Sequence, residues 1–177
     1  MASLSEALDA RRCELGLTWQ ELAVQVTDRP SRRSDRRIAA STLKGISLRS
    51  SVRDTVVLQA LRWLGRSPES FVPGLVETSG HALPDEDTGR PAFDTRAIYQ
   101  TMNQKREAQG LTWRDVAGEL GRGFTPAMLT RLAGGTHIGF PRVMRIFQWL
   151  GRPAAEFTCF VPDGTERGEA ERTTRPG

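Results

Sequence analysis

The side chains in this chain with most chemistry to offer are its arginines. Lys and Arg together number 25 against 21 Asp and Glu, and of those 25 only Lys44 and Lys105 are lysines. A guanidinium is permanently charged, planar and weakly hydrated, and its fork of donors matches both phosphate and the O6/N7 edge of guanine. The charges are unevenly placed. Residues 1–72 carry twelve basic and eight acidic groups, residues 73–93 one and four, residues 94–161 nine and five, and residues 162–177 three and four. Two basic blocks therefore flank an acidic stretch, a distribution that suits a polyanion. The densest cluster is Arg29, Arg32, Arg33, Arg36 and Arg37. Such a group can face phosphates or enter a minor groove. Read without a ligand, it is a solvated loop, or an extension of the next helix capped by Ser34 or Asp35.

Other chemistries lack material. The two histidines, His81 and His137, are far apart, and two cysteines, Cys13 and Cys159, cannot build a disulfide framework or a four-thiolate zinc site. No Gly-rich phosphate loop, nucleophile elbow or carboxylate pair with a histidine partner is present. The expectation is a protein that is not an enzyme and needs no metal or cofactor. No run approaches the roughly 18 apolar residues of a membrane span, and Met1–Glu6 has no secretory character. A cytoplasmic setting with reduced thiols follows, with no membrane partner.

The elements that must position these arginines occur twice. Gly16-Leu17-Thr18-Trp19-Gln20-Glu21-Leu22-Ala23 returns 94 positions later as Gly110-Leu111-Thr112-Trp113-Arg114-Asp115-Val116-Ala117. Trp63-Leu64-Gly65-Arg66, followed by Phe71, returns 86 positions later as Trp149-Leu150-Gly151-Arg152, followed by Phe157. The difference of eight residues falls within Thr27–Arg37 of the first copy. Two shared blocks in the same order establish an internal duplication.

Each copy reads as a set of short helices. Leu4, Leu8 and Leu15, or Ile98 and Met102, suit a first helix closed by Gly16 or Gly110. Thr18 with Glu21, and Thr112 with Asp115, form capping boxes for a second helix, with Leu17/Leu22 and Leu111/Val116 as hydrophobic staples. Trp19 and Trp113 are expected to pack over the first helix, and Trp63 and Trp149 to lie in the core. In the second copy Thr125 caps a third helix with Pro126 at its first position, Leu129 and Leu132 facing inward, and Gly134-Gly135 at its end. The first-copy match is Ala39 to Ile46. A closing helix carries Val57, Leu61 and Leu64, or Val143, Ile146, Phe147 and Leu150. No segment alternates with period two, so the expected class is all-α. The expected organisation is a first domain 1–72 with its insertion at 27–37, an acidic Gly- and Pro-rich linker 73–93, a second domain 94–161, and a disordered tail 162–177.

A capped second helix, a turn, a third helix and an apolar closing helix form a helix-turn-helix layout. On the residues Leu15 to Ala23, Gln109 to Ala117 and Phe124 to Gly135, each copy resembles the Cro/lambda-repressor-type (XRE) DNA-binding domain. The resemblance covers most of residues 4–72 and 95–160. It implies two tandem lambda-repressor-like domains, double-stranded DNA as partner, and a bacterial or phage-type transcriptional regulator acting either as a monomeric pseudo-dimer or as a homodimer. It places base-reading positions at Ala40, Ser41 and Gly45 in the first copy and Pro126, Ala127 and Arg131 in the second. The expected DNA contacts are Arg29, Arg32, Arg33, Arg36, Arg37, Ser41, Thr42, Lys44, Arg114, Thr125, Ala127, Thr130, Arg131 and His137. Thr112, Thr125, Arg114 and Arg142 also sit at helix starts, where phosphate can be held.

The departures from that family are informative. Only Arg131 has donors suited to guanine, Ala127 can do no more than meet a thymine methyl, and Gly45 offers nothing to a groove while weakening a helix. These positions also fit a protein-interaction or adaptor module that keeps the scaffold and has lost base reading.

Overall fold

The computed structural model describes residues 4–27, 38–46, 54–71 and 90–161. In order they form α1 (Leu4–Glu14), α2 (Trp19–Thr27), α3 (Ala40–Lys44), α4 (Asp54–Leu64), β1 (Arg90–Phe93), α5 (Thr95–Ala108), α6 (Trp113–Leu120), α7 (Pro126–Arg131), α8 (Phe140–Leu150) and β2 (Thr158–Val161). Tight 3-10 turns occupy Pro68–Phe71, Leu132–Gly134 and Ala154–Phe157. The described chain is mostly helical, as the periodicity predicts.

Its one departure from helix is a two-stranded antiparallel sheet, in which Arg90 pairs with Val161 and Phe93 with Thr158. β1 thus lies inside the stretch 73–93 read as linker, and it leads directly into α5. The strands are four residues each, and in β1 the three residues after Arg90 are all buried. A strand this short, buried on consecutive residues, has no alternation to read.

The capping signals act where the sequence puts them. At the head of α2, Glu21 N–H donates to Thr18 Oγ1 at 3.2 Å and Thr18 N–H donates to Glu21 Oε2 at 2.7 Å. At the head of α6, Asp115 and Thr112 repeat the exchange at 3.3 and 2.8 Å. The turn entering each second helix is braced by one arginine of the preceding helix. Arg12 donates to Asp9 Oδ1 at 2.9 Å and to the Leu17 carbonyl at 2.7 Å, with its guanidinium 5.2 Å from the Trp19 ring centre. Arg106 donates to Asn103 Oδ1 at 3.2 Å and to the Leu111 carbonyl at 2.8 Å, again 5.2 Å from the Trp113 ring. The duplication thus extends from sequence to individual hydrogen bonds. Trp19 and Trp113 pack over the first helix of their copies as expected, Trp113 also stacking on Tyr99 at 5.3 Å.

Trp63 and Trp149 are not core residues in the full sense. Both are half-buried, and their indole N–H groups donate to Gln25 at 3.2 Å and Glu119 at 2.6 Å. An indole keeps its N–H satisfied by staying at the core margin, so each ring ties the closing helix to the second helix of its own copy.

α4 decides how the two copies sit. Ala60, with Val56, Trp63 and Leu64 beside it, packs into the first-half core of Leu8, Leu22, Ala23, Val26, Leu43 and Ile46. Val57, Leu58 and Leu61 belong instead to the second-half core, with Phe93, Ile98, Met102, Val116, Leu129, Leu132 and Phe147. A helix apolar on most of its circumference must be covered on both sides. The two halves are consequently docked on α4. Glu69 reinforces the seam: buried, it accepts the Ala154 backbone N–H at 2.6 Å.

Because Leu61 is wholly buried in that shared core, Leu61→Ala should destabilise the protein by about 2–5 kcal/mol. Urea unfolding followed by helical circular dichroism and by Trp fluorescence should give one coincident transition in wild type. Two separated transitions would show halves that fold independently.

Candidate nucleic-acid interface

Thr125 starts α7 by accepting the Met128 N–H on its hydroxyl at 3.2 Å, with Pro126 next in the first turn. Leu129 and, just past the helix, Leu132 are wholly buried and anchor it. The opposite face is open: Thr125, Pro126, Ala127, Thr130 and Arg131 are all exposed. After Arg131 the chain tightens into the 3-10 turn and leaves it at Gly135, whose φ of +80° suits glycine.

The turn between α6 and α7 has a backbone that only glycine adopts readily. Gly121 and Gly123 take φ of +85° and +91° and bracket Arg122. A Cβ on Gly121 would stand 3.6 Å from Arg145 Nη2, and one on Gly123 would stand 3.7 Å from Arg142 Nε. The guanidinium groups of Arg142 and Arg145, carried on α8, therefore lie against this bare backbone. Arg114 is the second residue of α6. Arg114, Arg122, Arg131, Arg142 and Arg145 are all exposed. Among the described residues none of the five makes an ion pair or a side-chain hydrogen bond.

Elsewhere the arginines are mixed: Arg66 and Arg96 are also exposed without an ion pair or side-chain hydrogen bond among the described residues, while others are paired. Arg11 pairs with Glu14 at 2.9 Å, Arg12 with Asp9 at 2.7 Å, Arg106 with Glu107 at 3.1 Å, and Arg152 with Glu156. The two acidic groups of α6 are already occupied. Asp115 is held in the capping box, where the Thr112 hydroxyl, then its N–H, and to a smaller extent the neighbouring Arg114 charge keep the carboxyl below the usual carboxylate range. Glu119 accepts the Trp149 indole. Glu21 is lowered in the same way by the Thr18 N–H and then its hydroxyl.

The first half is arranged otherwise. α3 starts at Ala39 with no side-chain cap and ends after Lys44 at Gly45, which has φ of −90°. Gly45 therefore terminates this helix instead of weakening its interior, and the reading position expected there falls outside it. Ser41 and Lys44 are exposed and Thr42 is half-buried. Lys44 holds its ammonium 5.7 Å from the Trp19 ring. Arg29, Arg32, Arg33, Arg36 and Arg37 lie outside the described residues, as does the tail 162–177.

His137 is exposed, with Nδ1 3.6 Å from Oδ2 of the buried Asp54 at the start of α4. The loop after α7 therefore touches the other half, a contact the sequence did not signal. Arg122 and Arg145 were also not among the expected contacts, and the glycines flanking Arg122 were the available clue. No protein-family model, curated protein or solved structure matches the chain. Among the described residues no helix is long and apolar enough to cross a membrane, and no group of three or more His, Cys, Asp or Glu could hold a metal ion.

Folding favours the ionised forms of Glu21 and Asp115, since both folded values are lowered. Their contribution is complete above the ordinary carboxylate range and is lost as pH falls through the lowered values. Asp115→Asn should therefore lower the melting temperature more at pH 6 than at pH 3. An equal loss at both pH values would show that charge plays no part in the cap.

Proposed function

We propose that this protein binds double-stranded DNA and acts as a transcriptional regulator, each half carrying a helix-turn-helix module. The observation that carries the reading is an open, capped α7 with a surplus of exposed arginines on α6, on α7, in the turn between them and on α8. Exposed guanidinium groups outside any ion pair are available to an external anion, and phosphate is an anion their fork fits.

In this reading α7 enters the major groove with its open face toward the bases. Arg131 donates to guanine O6 and N7, and the Ala127 methyl meets a thymine methyl. Arg114, Arg122, Arg142 and Arg145 anchor the flanking phosphates and set the register without reading sequence. Thr130 and His137 lie beside the same path, and Thr125 serves chiefly as the cap. Docking of the halves on α4 fixes α7 before DNA arrives, so little ordering cost remains to be met on binding.

Arg131→Ala should weaken binding to a selected duplex by about 1–3 kcal/mol and relax preference at one base position. A fluorescence-anisotropy titration in increasing salt, on selected and on random duplexes, measures both effects. Equal weakening on every sequence would reduce Arg131 to a phosphate contact. A wild-type protein that ignores every duplex at low salt would overturn the reading.

A further inference from the structure

The duplication provides an internal control on which side chains the fold itself requires. By the offset of 94 residues, Arg114 corresponds to Gln20. By the offset of 86, Arg131 corresponds to Gly45, Arg142 to Val56 and Arg145 to Gln59. Arg122 falls where the insertion begins and has no clear counterpart. Every one of the four matched arginines is thus uncharged in the first half. The first half nevertheless builds the same second, third and closing helices, with Leu43 and Ile46 buried where the second half has Leu129 and Leu132. The arginines are not needed to make this fold.

The third helices differ in the same sense. α7 is capped by a threonine hydroxyl and leaves five consecutive or near-consecutive positions open, from Thr125 to Arg131. α3 has no side-chain cap, is five residues long and stops before the position equivalent to Arg131. Its one charged residue, Lys44, leans on Trp19 of its own half, where the second half has Thr130. At the start of the closing helix, Val56 packs against the first-half core where Arg142 is exposed.

Resting on the DNA-binding reading, we infer that the chain has a single reading helix, α7, and that α3 is a packing element that enters no groove. One chain then specifies one short contiguous segment of duplex, not two segments a helical turn apart. The basic anchors Arg114, Arg142 and Arg145 belong to that one contact.

The full-length protein tests this in two ways. Selection from a randomised duplex pool should return one uninterrupted motif, unchanged by the double variant Ser41→Ala/Lys44→Ala. The triple variant Arg114→Gln/Arg142→Gln/Arg145→Gln should lower the slope of log affinity against log salt by about three, at roughly 0.9 per phosphate contact. The Ser41→Ala/Lys44→Ala slope should match wild type. Melting curves of both variants confirm that they fold. A motif in two segments about 10 base pairs apart, or a base position relaxed by the α3 variant, would overturn the single-helix inference while leaving DNA binding intact. Absence of any duplex binding by the wild type would instead remove the reading beneath it.

Discussion

The structure depends on one helix having two apolar sides. α4 shares its apolar residues between the cores of both halves, so neither half can close its interior without it. Removing that helix from either side would expose wholly buried leucines, at roughly 25 cal/mol for each Å² of apolar surface returned to water. The smaller contacts gather around the same seam. Glu69 accepts the Ala154 N–H, Asp54 meets His137, and the Arg62 guanidinium lies 5.5 Å from the Phe160 ring on β2. A buried carboxylate such as Glu69 is tolerable only because a donor is fixed opposite it.

That docking gives the electrostatics their direction. A formal net charge of +4 suggests a nearly balanced surface, but the balance is local. In α1, at the end of α5 and after α8, arginines are matched to carboxylates three or four residues away or adjacent in sequence. Around α7 the acidic side chains of α6 are consumed, one by a helix cap and one by an indole. Both keep their negative charge, but the five exposed arginines Arg114, Arg122, Arg131, Arg142 and Arg145 outnumber them, so the local balance is positive. Such local fields steer polyanions to a surface and then hold them in register.

Much of the scaffold was legible in the sequence because its determinants are local. A threonine followed three residues later by an acid, a glycine after the last apolar position, and a Trp-Leu-Gly-Arg block repeated in register each act within one or two turns. The shape of α7 followed from Thr125 and Pro126 alone. What escaped was non-local. β1 and β2 pair across most of the second half, and their side chains do not alternate. The seam rests on α4 being apolar on two sides, which the spacing of Val57, Leu61 and Leu64 toward a single core does not reveal. Trp63 and Trp149 looked like core by size, yet each has an N–H that seeks a partner at the margin. Gly45 closes α3 one position earlier than the family pattern implies, and no side-chain cap marks where α3 starts. Surface arginines such as Arg122 and Arg145 carry no periodicity, and only the fold sets Arg145 beside Gly121 and Arg142 beside Gly123.

Hydrogen exchange of the whole chain, with and without a selected duplex, reaches the central claim most directly. The account predicts slowed exchange from the α6–α7 turn through the start of α8, with the α4 amides among the most protected in both states. Slowing confined to the first half, or α4 amides that exchange as fast as chain ends, would contradict it.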